Sequence, residues 1–414
     1  MTPPRLLVLG AGRGQVGLLT AARGLGYHVL TASLTHHKPP GLALADEVID
    51  VDISDPDAVL DAVRDLSIDG VATSCIDTPI RALAAVAQQH SLRGVTPEAA
   101  RVCTDKIAMK TVLAEHRIPT ARFRTITAPQ EATRAVRELG LPVVVKAPDL
   151  QGSAGVFICH TRQDVDAAIT SARTSTSSES LIIEEFIEGT EFGAQAFVLD
   201  GEVLFVMVHD DMTVQRATMI PVGHSVPSAL QSTTLAEAER VVRAAVEHLG
   251  LDDCAVNVDL IDRDGVVHVI EIACRVGANA LAEITGIHLG LDYYELIARA
   301  AVDDDPKRAW SERKGGEAAA ARMLGWEGPR GRLHSVPAVD IPSSDTSTAG
   351  STNRAAVTDV SWFVAPGDEI RTFETSNDCI GQIVVHGSDV AACHALLEHV
   401  TRSVAIDVDG PTLP

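Results

Sequence analysis

Apolar positions follow three rhythms along this chain. In Ala255-Val-Asn-Val-Asp-Leu-Ile261 and Val267-His-Val-Ile-Glu-Ile-Ala-Cys-Arg-Val-Gly277 the acids alternate with apolar residues, which predicts two half-buried strands. Asp262-Arg-Asp-Gly265 between them reads as a hairpin turn, and a hairpin of that length can set Asp259 beside Glu271 on one face. Unbroken apolar runs mark buried-type strands at Arg5-Leu-Leu-Val-Leu-Gly10 and Leu141-Pro-Val-Val-Val-Lys-Ala-Pro148. Helical spacing covers Leu18–Gly26, Ile107–Arg117, Leu235–Leu249 with Gly250 as its cap, Leu291–Val302 and Val390–Val400. Ala194–Leu199 and Val203–Val208 read as an antiparallel pair joined at Asp200-Gly201, and Val357–Val364 and Ile380–Val385 as late strands.

These elements group into regions. Residues 1–95 alternate strands and helices, as a small parallel, Rossmann-like α/β unit would. Residues 96–306 form a second region, with a smaller part at about 120–190 and a larger part at about 191–306. Residues 307–414 suggest a small α+β cap. The stretch 342–354, rich in Ser and Thr and poor in apolar residues, reads as a mobile loop. A length of 414 residues accommodates two to four domains, and 46% apolar residues provide a sizeable core.

Charge then narrows the choice of partner. The net charge of −22 argues against nucleic acid and anionic membranes, which need dense Lys and Arg. Any anionic ligand must meet individually placed cations. The seven cysteines show no CxxC spacing and read as reduced thiols. The N-terminal apolar run is too short for a signal sequence, and none approaches the roughly 18 residues of a spanning helix, so a cytoplasmic location is expected.

The candidate chemistry follows from isolated charges in apolar surroundings. Two carboxylates side by side on a sheet face repel unless a cation lies between them, and Mg2+ prefers such oxygens. Lys146 ends an apolar strand, where a lone ammonium is costly without an anion. Asp149-Leu-Gln-Gly-Ser-Ala-Gly-Val156 follows it directly, a small-residue loop able to fold over phosphates. Each feature also has a plain reading: a wet strand face for Asp259 and Glu271, a snorkelling lysine, a common glycine turn. Glu184, Glu185 and Glu188 could be surface charge. His209 and His224, within Val208–Pro227, could face an acceptor substrate or be loop and surface histidines. Gly12, Gly14 and Gly17 match G-x-G-x-x-G after a strand, but no acid follows the next strand, His28–Ala32, to take a ribose. These glycines are therefore read as serving a tight turn and close helix packing.

The order of these motifs resembles the ATP-grasp superfamily of carboxylate–amine ligases. The resemblance rests on Thr104-Asp-Lys106, the strand ending in Lys146, the loop 151–156, Ile183-Glu-Glu-Phe-Ile187, and Asp259/Glu271 followed by Arg275. Within the superfamily, Glu271-Ile-Ala-Cys-Arg275 is most similar to L-amino-acid ligases that make dipeptides. The resemblance implies an ATP-grasp core behind a Rossmann-like domain. It also implies an ATP-dependent ligase that activates a carboxylate as an acyl phosphate and joins it to an amine. Lys106 and Lys146 would hold phosphates, and Gly152, Ser153 and Gly155 would close over them. Glu184, Glu185, Phe186 and Ile187 would read adenine, and Glu191 would take the ribose. Asp259 and Glu271 would bind one or two Mg2+, with Mn2+ an alternative, and Arg275 would stabilise the transferring phosphoryl group. Many members carry Asn where this chain has Ala273, which leaves the metal count open, and His where it has Asn257. Dimers are common in the superfamily. The rival readings are a formyl-, carbamoyl- or bicarbonate-using relative, a nucleotide binder without catalysis, and an NAD oxidoreductase.

Overall fold

The computed structural model describes residues 2–150, 155–216, 219–341 and 354–409. The chain separates into two compact units. The first comprises Met1–Val208, Leu230–Gly277 and Tyr294–Lys307, and the second His209–Ala229, Ala278–Tyr293 and Arg308–Pro414. The architecture is mixed α/β, with one parallel sheet and several antiparallel ones.

The first unit opens with four parallel strands in the order Glu47–Ile49, His28–Ala32, Arg5–Leu9, Gly70–Ala72. Leu6 to Leu9 are fully buried, as a parallel strand covered on both faces requires. Helix Arg13–Gly24 begins earlier than the apolar spacing suggests, because the glycines belong to the helix. A Cβ on Gly17 would lie 2.3 Å from the Tyr294 ring, and one on Gly14 2.7 Å from Cys75 Cβ. Both glycines therefore permit close packing. The loop's Gly12 N–H donates to Gln15 Oε1 at 3.0 Å, so it is engaged within the protein.

Helix Lys106–Glu115 starts at Asp105, whose carboxylate accepts from the Ile107 and Ala108 N–H groups. It leads to an antiparallel sheet ordered Phe123–Ile126, Leu181–Glu185, Val143–Lys146, Val156–Cys159. Helices Ala132–Leu139 and Arg162–Ser175 cover this sheet around Val143, Val145, Ile183, Val165 and Ile169. A further antiparallel set places Cys254–Arg263 between Thr190–Leu199 and Val266–Ala273, backed by helix Ser232–His248.

In the second unit, Met219–Val226, Ala318–Gly325, Cys379–Gly387 and Ala355–Trp362 pair antiparallel in that order. Helix Val390–Ser403 packs on them through Cys393, Leu397 and Val400. The helix expected over 291–302 is Tyr293–Ala301, and a further helix, Leu281–Leu289, precedes it and ends at Gly290 at φ +70. The expected mobile loop at 342–354 lies, up to residue 353, outside the described residues. No helix of the described residues is long and apolar enough to cross a membrane.

Candidate active site

The acidic hairpin turns at Asp264-Gly265, both at positive φ (57 and 82), the tight turn that suits a right-twisted strand pair. Its register sets Asp259 directly opposite Glu271 and Asn257 opposite Ala273. Val258 and Leu260 are buried opposite the buried Ile272 and Val269, and the register shifts by one residue between Asp259 and Leu260, with Ile270 as the extra residue, which brings Glu271 opposite Asp259. Asp259 is exposed and Glu271 half-buried. Asn257 Nδ2 donates to Asp259 Oδ1 at 3.3 Å, and its Oδ1 accepts from Gln195 Nε2 at 2.6 Å. The position expected to carry a third metal ligand thus holds Ala273, but its cross-strand neighbour brings a carboxamide to the acids.

Lysines gather around the carboxylates of the same unit. Lys106, Met109, Lys110 and Leu113 form the buried stripe of their helix. Lys106 Nζ lies 2.8 Å from Glu271 Oε1 and donates to the Leu150 carbonyl at 2.6 Å. Burial pulls its pKa down, but Glu271 more than offsets this and Asp77 and Glu184 add to it, so the ammonium sits above its ordinary value. Lys146 Nζ and Lys110 Nζ share a single oxygen, Glu184 Oε2, at 3.0 and 3.3 Å. Lys110 also donates to Thr120 Oγ1 at 2.8 Å. Burial, reinforced by repulsion from Lys146, pushes the Lys110 pKa down to about 8, although Glu184 opposes the shift. Burial pushes the Glu184 carboxyl up, and the two ammonium groups more than reverse this.

The pair of lysines on one acid leaves a surplus positive charge in a buried place, an arrangement that an anion would stabilise. Glu184 Oε1 is buried and has no hydrogen-bond partner among the described residues. Hard oxygen ligands for Mg2+ stand at Asp259 and Glu271. The donor set therefore fits a magnesium-bound polyphosphate.

Arg275, which follows the acidic strand, is gripped by Asp77 through two parallel bonds, Nε to Oδ1 at 2.8 Å and Nη2 to Oδ2 at 3.0 Å. Burial lowers its pKa, but Asp77 overcomes this and keeps the guanidinium charged. The fork is held rigidly and cannot swing freely.

Other expected residues fall differently. Glu184 is not surface charge, since only 1% of it is exposed. Glu185 pairs with Arg122, whose Nε lies 2.7 Å from Oε2. The N–H groups of Glu185 and Phe186 donate to the Arg122 and Pro142 carbonyls at 2.8 and 3.2 Å. Main-chain contacts to adenine from this segment would therefore fall to Ile187, which is buried, and to carbonyl groups. Glu191 is exposed near the start of strand Thr190–Leu199. Gly155 is at φ +66, whereas Gly152 and Ser153 lie outside the described residues. His209 and His224 are neither loop nor surface residues: they are buried in the second unit, on strands Glu202–Gln215 (from His209 on) and Met219–Val226, with Asp211.

Two members of the cluster escaped the sequence reading. Lys110 stands one helical turn after Lys106, where its spacing on the apolar stripe is the signal that marks it. Asp77 follows the strand Gly70–Ala72, and no local pattern links it to Arg275.

Residues 104–215 match the family model described as phosphoribosylglycinamide synthetase, ATP-grasp (A) domain, and residues 351–409 match L-amino acid ligase C-terminal domain 2. Phosphoribosylamine–glycine ligase of Escherichia coli (strain K12) is 27% identical over 239 residues, covering 53% of this chain and 55% of the relative. The matched region thus spans about half the length of that relative. A crystal structure of phosphoribosylglycinamide synthetase from Anaerococcus prevotii superposes with a TM-score of 0.82 at 39% identity, covering 98% of this chain and 100% of the other. L-amino acid ligase from Bacillus licheniformis shares the fold, with a TM-score of 0.80 at 18% identity over 99% and 100% of the two chains.

Proposed function

The chain belongs to the ATP-grasp carboxylate–amine ligases, a family of ATP-dependent carbon–nitrogen ligases, and from that premise we propose that it joins an amino acid's carboxylate to an amine through an acyl phosphate. The carrying observation is the buried Lys110–Glu184–Lys146 group beside a helix whose Lys106 grips Glu271, itself opposite Asp259. A carboxylate is a poor electrophile. Transfer of the γ-phosphoryl group of ATP makes it an acyl phosphate and releases ADP. The amine then attacks the carbonyl carbon, the C–O bond to phosphate breaks, and amide and phosphate leave.

The residues divide this work by charge. Lys106 and Lys146 would hold phosphate oxygens, and Lys110, fully buried against Glu184, adds positive charge behind them. Asp259 and Glu271 would hold Mg2+, which supplies neutralisation of the phosphates when bound. Asn257 orients Asp259. Arg275, locked by Asp77, meets the negative charge on the transferring group without reorganising. The partners are small molecules.

The identity of the amine separates two readings. The match of residues 351–409 to an L-amino acid ligase domain favours a second amino acid as acceptor. The 39% identity to a phosphoribosylglycinamide synthetase favours phosphoribosylamine as acceptor for glycine. The experiment incubates purified protein with ATP, Mg2+ and pooled amino acids, with and without phosphoribosylamine, and identifies products by mass spectrometry. Dipeptide masses support the first reading. A glycinamide ribotide mass that requires phosphoribosylamine supports the second. Absence of any amide product in every pool rejects both.

A further inference from the structure

A second group of chemistry-bearing side chains lies in the second unit, and the ligase reading makes no use of it. Strands Glu202–Gln215 and Met219–Val226 pair antiparallel with Asp211 opposite His224. His209 precedes Asp211 by two residues, so strand alternation puts it on the same face. His209 and His224 are 1% and 3% exposed. Their Nδ1 atoms lie 3.0 and 2.6 Å from the same oxygen, Asp211 Oδ1. The rings meet edge to face, with centroids 5.1 Å apart. The Nε2 atoms of both rings are buried and have no hydrogen-bond partner among the described residues.

A satisfied pair of core histidines would have both nitrogens of each ring engaged. Here one carboxylate addresses both rings and the far nitrogens of both are stranded. One donor atom from each of the three residues lies within 4.8 Å of the others. Two imidazoles and one carboxylate are a donor set for Zn2+, Co2+ or Fe2+. Mg2+ is a poor match, since it selects oxygen ligands. We propose that His209, Asp211 and His224 bind one divalent transition-metal ion of the Zn2+ class, at a site whose donor set differs from that of Asp259 and Glu271.

Either ring nitrogen can serve as ligand, because a neutral imidazole moves its proton between nitrogens without losing it. If the Nδ1 atoms bind, the ion replaces the protons now shared with Asp211. The N···O contacts of 2.6 and 3.0 Å then open to roughly 3.4 Å, the separation that tetrahedral bonds of about 2.1 Å require. Binding through the Nδ1 atoms and the Asp211 carboxylate needs all three residues, and each imidazole then carries its proton on Nε2.

The test uses the full chain, stripped of metal with a chelator and kept in excess Mg2+ so that oxygen-rich sites are filled. Co2+ is titrated as a probe and followed by its visible absorption. The expected result is one equivalent of Co2+, displaced by Zn2+ and insensitive to Mg2+. His224→Gln and Asp211→Asn should weaken binding at least tenfold, whereas Glu271→Gln should leave it unchanged. The variants also separate this site from other paired imidazoles, such as His116 and His248, whose rings stack at 4.0 Å. The wild-type protein gives a reading that does not depend on variant folding: bound Cu2+ should show electron-spin coupling to imidazole nitrogen. Absence of saturable Co2+ binding, equal binding by His224→Gln, or no nitrogen coupling would each overturn the proposal. Because the readout is metal binding, failure of the ligase reading leaves it intact.

Discussion

Replacing Lys110 by methionine removes a fully buried ammonium while keeping most of its length and volume. The pKa of that ammonium falls from 10.5 to about 8, so holding it charged at pH 7 costs on the order of 3 kcal/mol relative to the unfolded chain. In the variant Glu184 keeps Lys146 at 3.0 Å, and no buried charge is left alone. Lys110→Met should therefore stabilise the unliganded protein at pH 7 by up to about 3 kcal/mol. The pH dependence follows from the direction of the shift. The folded chain releases this proton at a lower pH than the unfolded chain does. Between about 8 and 10.5 the unfolded state binds more protons, and wild-type stability gains on this account as pH rises. The variant lacks that gain, so its advantage should shrink across the window and vanish at the upper end. ATP affinity should move the opposite way, because a buried cation is lost from the phosphate site. A loss of about 2 kcal/mol, roughly 30-fold in Kd, is expected. Urea midpoints of both proteins at neutral and alkaline pH, with calorimetric titration of ATP, measure both effects. A variant less stable than wild type at pH 7, or one with unchanged ATP affinity, would refute the reasoning.

Glu184→Gln should destabilise the protein by about 3–5 kcal/mol at pH 7, since both Lys110 and Lys146 lose their carboxylate, and thermal unfolding reads this directly. Asp77→Ala leaves the Arg275 guanidinium half-buried without its bidentate partner. Stability should fall by a similar amount and kcat should drop, and a variant with wild-type kcat would remove Arg275 from the proposed mechanism. Glu271→Gln should lower turnover by about 100-fold or more and weaken its dependence on Mg2+ concentration, followed by ADP release. Gly17→Ala should cost about 1–3 kcal/mol by forcing a methyl group against Tyr294, with no change in ATP affinity at low temperature.

Much of the site was legible because its charges interrupt apolar runs. Lys146 ends an apolar strand, where a lone ion is costly, and Asp259 and Glu271 stand side by side, where like charges repel, and such positions point to a ligand or partner. The hairpin was legible from alternation and its turn, but that turn alone would pair Asp259 with Ile270; the one-residue shift between Asp259 and Leu260 that pairs it with Glu271 was not. Contacts between distant segments were not legible. Arg275 depends on Asp77, which lies far away in sequence on another element, and no periodicity connects them. Glu184 was obscured by Glu185 and Glu188, since neighbouring acids resemble a solvated face. Only the fold reveals that Glu184 carries two lysines. The strand Ala318–Gly325 carried little strand signal, because alanine disfavours strands unless close packing demands small side chains. His209 and His224 resembled loop residues because Met219-Ile-Pro-Val-Gly-His lacks clear alternation. Their partner Asp211 becomes visible only once Met219–Val226 folds back on the preceding strand.

The central claim is ATP-driven amide formation from an amino acid's carboxylate. Its most direct measurement is the mass spectrum of products after incubating purified protein with ATP, Mg2+ and pooled amino acids, with and without phosphoribosylamine, alongside ADP release. The account predicts ADP and an amide-linked product in equal amounts, both lost in Glu271→Gln. ADP release no greater than in the amino-acid-free blank, with no amide mass in any pool, would contradict it.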